Sequence, residues 1–238
     1  MNLKDAIKQI EKNGVLLVYP INNQPEPRSL WSEFYPKSKM RWEWDSGGDN
    51  RVAGLWHLRE QLSSSGKVVY AKWYQGRATF FSKKVFTSFH YLLNYKKQAL
   101  SEDALRILEV LDLNSPLSVK QVKVICEMKG KANERRFEKA MKELWTRLLI
   151  VGYGEVDDGA FPSLSVGSTR LLFEKEWTIA QKMTSREAEE NIKHFDTGGK
   201  MLVYLRKKMH SEVAPPTRSR KKVTVIRFED LQPRSSKR

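Results

Sequence analysis

Cysteine is almost missing from this 238-residue chain, Cys126 being the only one. A single thiol excludes an internal disulfide and any cysteine-rich zinc site, and it fits a reducing cytoplasm. Long apolar runs are missing too. The longest, Val15 to Tyr19, falls far short of the roughly 20 residues that a membrane crossing needs. Met1-Asn2-Leu3-Lys4-Asp5 lacks the shape of a signal peptide. A cytoplasmic protein without a membrane span is therefore expected. The histidines His57, His90, His194 and His210 are scattered, none with metal-ligand spacing. No nucleophile elbow, phosphate-binding loop or dinucleotide glycine pattern occurs, and Gly152-Tyr153-Gly154 is too short to cradle a phosphate. Neither metal nor cofactor is expected.

Positive charge is abundant. Lys and Arg number 43 against 28 acidic residues, a net charge of +15. Such an excess calls for an anionic partner, whether nucleic acid, an acidic protein or a membrane surface. The 25 aromatics and a hydrophobic share of 40% supply more core material than a disordered chain carries. The length allows one large domain or two modest ones.

The pattern along the chain predicts an α+β protein, mostly helical. Residues 1–97 read as an α+β region. A short helix over Lys4–Lys12 ends at Asn13-Gly14. Val15 to Tyr19 fits either a buried strand or a buried helical turn, because so short a run has no decisive period. Ser29-Leu30-Trp31 is a candidate helix start, and Leu55 to Leu62 is a short amphipathic segment. A hairpin follows, Val68–Tyr74 turning at Gln75-Gly76-Arg77 into Ala78–Phe81. Lys83 to Tyr95 fits a helix.

From Ser101 the pattern sharpens. Ser101 caps a first helix carrying Ala104, Leu105, Leu108 and Leu111, and Ser118 caps a second with Val119, Val122, Ile125 and Cys126 inward. Lys129-Gly130-Lys131-Ala132 makes the short glycine-containing turn that a helix-turn-helix requires. Asn133 is the expected cap of a third helix running to about Leu148. Strands over Leu149–Glu155 and Ala160–Val166 flank a turn at Asp157-Asp158-Gly159. Three helices and a hairpin are the order of a winged helix-turn-helix, expected over 98–183, and the N-terminal region is a candidate degenerate second copy. Ser168 to Met183 and Ser185 to His210 read as further helices, the latter interrupted near Gly198-Gly199, with 184–213 as a C-terminal helical segment. Residues 214–238 form a basic tail holding Arg218, Arg220, Lys221 and Lys222, with Val223–Phe228 as a weak edge strand. Arg206 to Arg238 holds eleven basic residues against three acidic ones, about half the net charge. No repeat is visible in the residue identities.

Stepping roughly 100° per residue around the third helix separates two faces. Phe137, Ala140, Met141, Leu144 and Leu148 fall within about 100° of one another and form the core face. Arg135, Lys139, Lys142 and Thr146 fall within roughly 60° on the opposite side. A recognition helix needs that separation, with cations for phosphates and an Arg long enough to reach guanine O6 and N7. Lys129 and Lys131 would meet the backbone beside it. Asp157-Asp158 at the wing carries the wrong sign for a phosphate contact. Glu134, Glu138 and Glu143 are alternative partners that would make the stripe an ordinary solvated face. Lys72 and Arg77, interleaved with Trp73, Tyr74, Phe80 and Phe81, would line a basic groove or stack unpaired bases, although core packing explains the rings more simply.

Asn133 through Leu144 and Leu148-Leu149-Ile150-Val151-Gly152 resemble the helix and wing of AlkZ-type (YcaQ-type) bacterial proteins, and more closely their short AlkZ-related cousins. Tyr19-Pro20-Ile21, Ser29-Leu30-Trp31, Trp56 and Ala78–Ser82 match in the same order. The resemblance covers about Gly14 to Met183. It implies tandem winged helices and the context of DNA glycosylases that release alkylated bases or unhook crosslinks. The family's catalytic motif is Gln-x-Gln or Gln-x-Asp after a Gly-Leu-Leu-like run. Setting Gly14-Val15-Leu16 on that run puts Leu17 and Tyr19 at the catalytic positions, and neither activates a water as Gln or Asp does. The expectation is a non-catalytic binder of double-stranded DNA in repair or transcriptional regulation. The alternatives are a glycosylase using displaced groups, with Glu43 and Asp45 as candidates, and an interaction module for an acidic protein.

Overall fold

The computed structural model describes residues 2–42, 48–96, 99–158, 162–193 and 198–209. Among them are eleven α-helices and one six-stranded antiparallel sheet, an α+β fold. The first half of the chain runs α1 (Leu3–Asn13), β1 (Val15–Leu17), α2 (Leu30–Phe34), α3 (Asn50–Ser64), β2 (Val69–Lys72) and β3 (Ala78–Phe81). After α4 (Lys83–Asn94) the same order recurs as α5 (Glu102–Asn114), β4 (Leu117–Ser118), α6 (Val119–Ile125), α7 (Lys131–Thr146), β5 (Ile150–Val156) and β6 (Ser163–Ser168). Then follow α8 (Thr169–Leu172), α9 (Glu174–Lys182), α10 (Ser185–Lys193) and α11 (Gly198–Met209).

Pairing repeats as well. In each half the first strand pairs with the third, β1 with β3 and β4 with β6. The second strands, β2 and β5, join the halves by pairing Tyr70 with Gly152, giving the order β1-β3-β2-β5-β6-β4. Gly152 makes this junction possible, because a Cβ there would lie 2.4 Å from Cδ1 of the Tyr70 ring. A charged tie reinforces it. The buried Arg59 guanidinium of α3 donates to the Glu155 carboxylate of β5 and stacks 3.8 Å from the ring centre of Trp56.

Val15 to Leu17 is a strand because β3 supplies its hydrogen bonds and both sheet faces are covered. Leu16, Tyr70 and Phe80 face a core with Ile10, Trp31, Leu55 and Leu62. Val15, Leu17, Val69, Ala71 and Phe81 face the opposite core with Phe86, Phe89, Leu144 and Val166. A strand buried on both sides loses the alternation that normally reveals it. The helices α9, α10 and α11 pack on α4, so the C-terminal segment returns to the N-terminal half.

Local signals placed most boundaries. Gly14, at φ 75°, ends α1 with its N–H on the Ile10 carbonyl. Ser29 and Ser118 form capping boxes with Ser32 and Gln121, and Ser101 caps α5. Two expectations need correction. Asn133 is not the cap of the third helix: Gly130, at φ 89°, precedes a helix that starts at Lys131, so Lys131 and Ala132 belong to its first turn. Glycine tolerates the left-handed backbone that the entry demands, and Asn133 instead donates its amide to the Lys129 carbonyl at 3.1 Å. The helix expected over Ser168–Met183 breaks at Phe173, which turns its ring into the core and leaves helical dihedrals at φ −132°, ψ 50°. The carboxylate candidates Glu43 and Asp45, the basic tail residues Arg218, Arg220, Lys221 and Lys222, and the expected strand Val223–Phe228 lie outside the described residues.

Candidate nucleic-acid interface

Helix α7 is held by its apolar face. Phe137, Ala140, Met141, Leu144 and Trp145 are buried along it, and Leu148 is buried just beyond its end. This packing fixes the opposite side outward, where Arg135, Lys139 and Lys142 are exposed. Thr146 is half-buried, and its carbonyl accepts the Trp73 indole N–H at 3.2 Å. The turn before α7 is anchored by Met128, 3% exposed, with Lys129 on the open side. Lys131 is exposed in the first helical turn.

Two of the acidic residues that would neutralise the stripe are engaged elsewhere. Glu134 pairs with Lys123 of α6 at 2.7 Å, and that ammonium sits 4.9 Å from the ring centre of Phe137. Glu143 accepts the Ser101 hydroxyl at 2.6 Å and its N–H at 3.1 Å, tying α7 to the start of α5. Arg136, outside the stripe, pairs with Asp103 at 2.6 Å. Among the described residues Arg135, Lys139 and Lys142 have no carboxylate partner. The wing acid Asp158 is also occupied. The neighbouring Ser118 and Ser163 hydroxyls and the Lys120 ammonium, 3.1 Å away, hold its carboxyl at about 2, well below the usual range. Asp158 thus pins the wing base to the cap of α6 instead of facing outward.

The first hairpin approaches the same helix. Its turn carries Gln75 at φ 52° and Gly76 at φ 75°, and this turn, Lys72, Lys142 and Thr146 line one groove of about 800 Å³. Lys72 is solvent-exposed on β2, yet the groove walls and the nearby Arg59 cation lower its pKa. Arg77 is exposed at the start of β3 and does not line the groove; Arg135 and Lys139 continue the stripe past its mouth. Trp73, Tyr74, Phe80 and Phe81 are all buried and serve the core. Sequence reasoning missed Lys208 of α11, which lines the groove beside Tyr204. The basic run Arg206-Lys207-Lys208 was its only signal, and nothing in the local pattern tied α11 to α7.

The third helix of the first half offers no equivalent. Setting Leu55 against Phe137 aligns the buried positions Leu58, Arg59, Leu62 and Ser63 with Ala140, Met141, Leu144 and Trp145. In that register Arg135, Lys139, Lys142 and Thr146 face Ala53, His57, Glu60 and Ser64. The scaffold is repeated and the cationic stripe is not.

The positions matched to the glycosylase motif lack its chemistry. Leu17 is fully buried in β1, and the Tyr19 hydroxyl donates to the Val52 carbonyl at 2.8 Å. Cys126 is buried and its thiol is pushed up to about 11, which removes it as a nucleophile. Among the described residues, no three His, Cys, Asp or Glu side chains converge to hold a metal, and no helix is long and apolar enough to cross a membrane.

Fold and site together define an α+β protein in which the order of elements recurs and α7 carries a cationic face. The chain belongs to the AlkZ-related family, whose model matches residues 1–198. Comparison with curated proteins finds no match.

Proposed function

We propose that this protein binds double-stranded DNA through α7, as a tandem winged helix-turn-helix in which only the second unit reads the duplex. One observation carries the reading: Arg135, Lys139 and Lys142 form an exposed stripe while Glu134 and Glu143 are committed to other partners. Three cations along one helix face would each neutralise a phosphate or reach a base edge in the major groove. Lys129, Lys131, Asn133 and Thr146 flank the stripe, and Lys72 and Arg77 extend it from the first hairpin. The tail residues Arg218, Arg220, Lys221 and Lys222 would add phosphate affinity that salt weakens. The repeated order of helices and strands, with each third strand pairing both others of its half, supports the two winged units.

Membership of the AlkZ-related family supports a role in DNA repair or DNA binding. A buried Leu17 and a backbone-bonded Tyr19 at the motif positions favour a non-catalytic accessory or regulator over a glycosylase. The test is a gel shift on a 20-base-pair duplex at moderate salt. Arg135→Glu with Lys139→Glu should weaken binding at least about tenfold, since two attractive contacts become repulsive. Unchanged binding by that variant, its circular dichroism being that of the wild type, would sink the proposal.

A further inference from the structure

The cations of α7 stand in different surroundings. Arg135 and Lys139 do not line the groove, although their neighbours Glu134, Phe137 and Glu138 do. Lys142 and Thr146 lie inside it, walled on one side by Lys72 and the Gln75-Gly76 turn and on another by Tyr204 and Lys208 of α11. A major groove is about 12 Å wide, and a helix with its side chains is itself about 10–12 Å across. A duplex can therefore meet the outer stripe of α7, the exposed Lys142 included, but cannot seat between the walls. A single strand is narrow enough to enter.

The chemistry of the groove is equally specific. Among its lining cations, Lys123 is neutralised by Glu134. Lys72, Lys142 and Lys208 remain, with Glu138 as the one acid left to oppose them in the described lining. Lys142 and Lys208 stand close together: burial, then Lys142 and Lys207, lowers the pKa of Lys208, while burial followed by Arg59 lowers that of Lys72. Lys208 is positioned by Tyr204, its ammonium 5.2 Å from the ring centre. Tyr204 is itself braced by its hydroxyl on the Trp73 carbonyl at 3.3 Å. Val119, Phe137, Met141, Trp145 and Leu164 supply the apolar part of the lining. Converging cations above an apolar, aromatic floor suit a nucleotide, its phosphate on the lysines and its base below. The volume of about 800 Å³ falls within the usual range for small-ligand sites. Most of α11 lies beyond residues 1–198, so one wall of this groove comes from outside the segment that carries the family likeness.

We propose that the groove between α7, the first hairpin turn and α11 holds one or two unpaired nucleotides of a DNA strand, so that the protein prefers duplex with a single-stranded tail to blunt duplex. The assignment rests on α7 being the DNA-facing helix. The test uses the full chain and fluorescence-labelled DNA: a blunt duplex, the same duplex with a six-nucleotide thymidine tail, and thymidine monophosphate as competitor. The tailed duplex should bind about tenfold more tightly than the blunt one, the scale of one or two stacked bases with their phosphates. Lys208→Gln should cut that preference to about threefold or less while leaving blunt-duplex affinity within about twofold, and Lys208→Arg should restore it. Equal binding of tailed and blunt DNA by the wild type, or a preference undiminished by Lys208→Gln, would overturn the assignment and leave duplex binding untouched. Competition by the mononucleotide at micromolar concentration would overturn it in favour of a free-nucleotide site. The blunt-duplex arm with Arg135→Glu and Lys139→Glu reports separately on α7 itself.

Discussion

Two buried or anchored side chains contribute to how this protein responds to acid. His90 is 2% exposed on α4, with its Nδ1 3.1 Å from the Leu148 carbonyl. Burial, aided by the Arg147 cation, pushes its pKa from 6.5 down to about 4. The folded state therefore favours neutral imidazole. Its contribution is complete above about pH 6.5 and is lost as the pH falls toward 4. The shift corresponds to roughly 3 kcal/mol by linkage. His90→Phe, which keeps the ring beside Phe86 and leaves the Leu148 carbonyl its Thr169 hydroxyl, should flatten urea-unfolding stability across that window. Asp158 acts in a lower window. Its carboxyl is held at about 2 against an ordinary 3.8, so its contribution is present above pH 3.8 and disappears as pH falls toward 2. In Asp158→Asn the amide shifts of Ser118 and Ser163, followed by NMR, should lose their titration between those limits. Neither role was legible in the sequence. Asp158 read as a misplaced wing charge because its partners Ser118 and Lys120 lie some forty residues away.

At the scale of elements, caps and turns were legible and the junction between halves was not. Ser29, Ser101 and Ser118 announced helices because a hydroxyl at the N-cap satisfies a nearby backbone N–H. The start of α7 was misplaced by three residues because Asn133 is a good cap by type, whereas Gly130 meets a backbone requirement at φ 89°. The helical spacing after Ser168 concealed Phe173, whose burial breaks the helix. Pairing of β2 with β5 left only one trace, Gly152, which reads as a flexible residue until Tyr70 is laid across it. Gly152→Ala would place a methyl group within 2.4 Å of a ring that is 2% exposed and cannot swing into solvent. Thermal or chemical unfolding should register a loss of about 1–3 kcal/mol, as overpacking does. A variant as stable as the wild type would mean that the junction is looser than described.

For the whole molecule, repetition of fold and asymmetry of charge belong together. Little residue identity repeats between the third helices of the two halves, yet Leu55, Leu58 and Leu62 occupy the buried places of Phe137, Ala140 and Leu144. Cores of different side chains can fill the same shape, so a recurring order of elements is visible in topology and burial where the letters do not show it. The outward residues carry the difference: Ala53, His57 and Glu60 on α3 against Arg135, Lys139 and Lys142 on α7. The stripe itself was readable from helical periodicity, while its freedom from acidic partners was not, because Glu134 and Glu143 are engaged by residues from α6 and the cap of α5. The most direct measurement is the salt dependence of duplex binding, by fluorescence anisotropy between 50 and 300 mM salt, for the wild type and for Arg135→Gln with Lys139→Gln. If both cations neutralise phosphates, the slope of log affinity against log salt should become shallower by about two in the variant. An unchanged slope and affinity would contradict the account and return α7 to the status of a solvated helix.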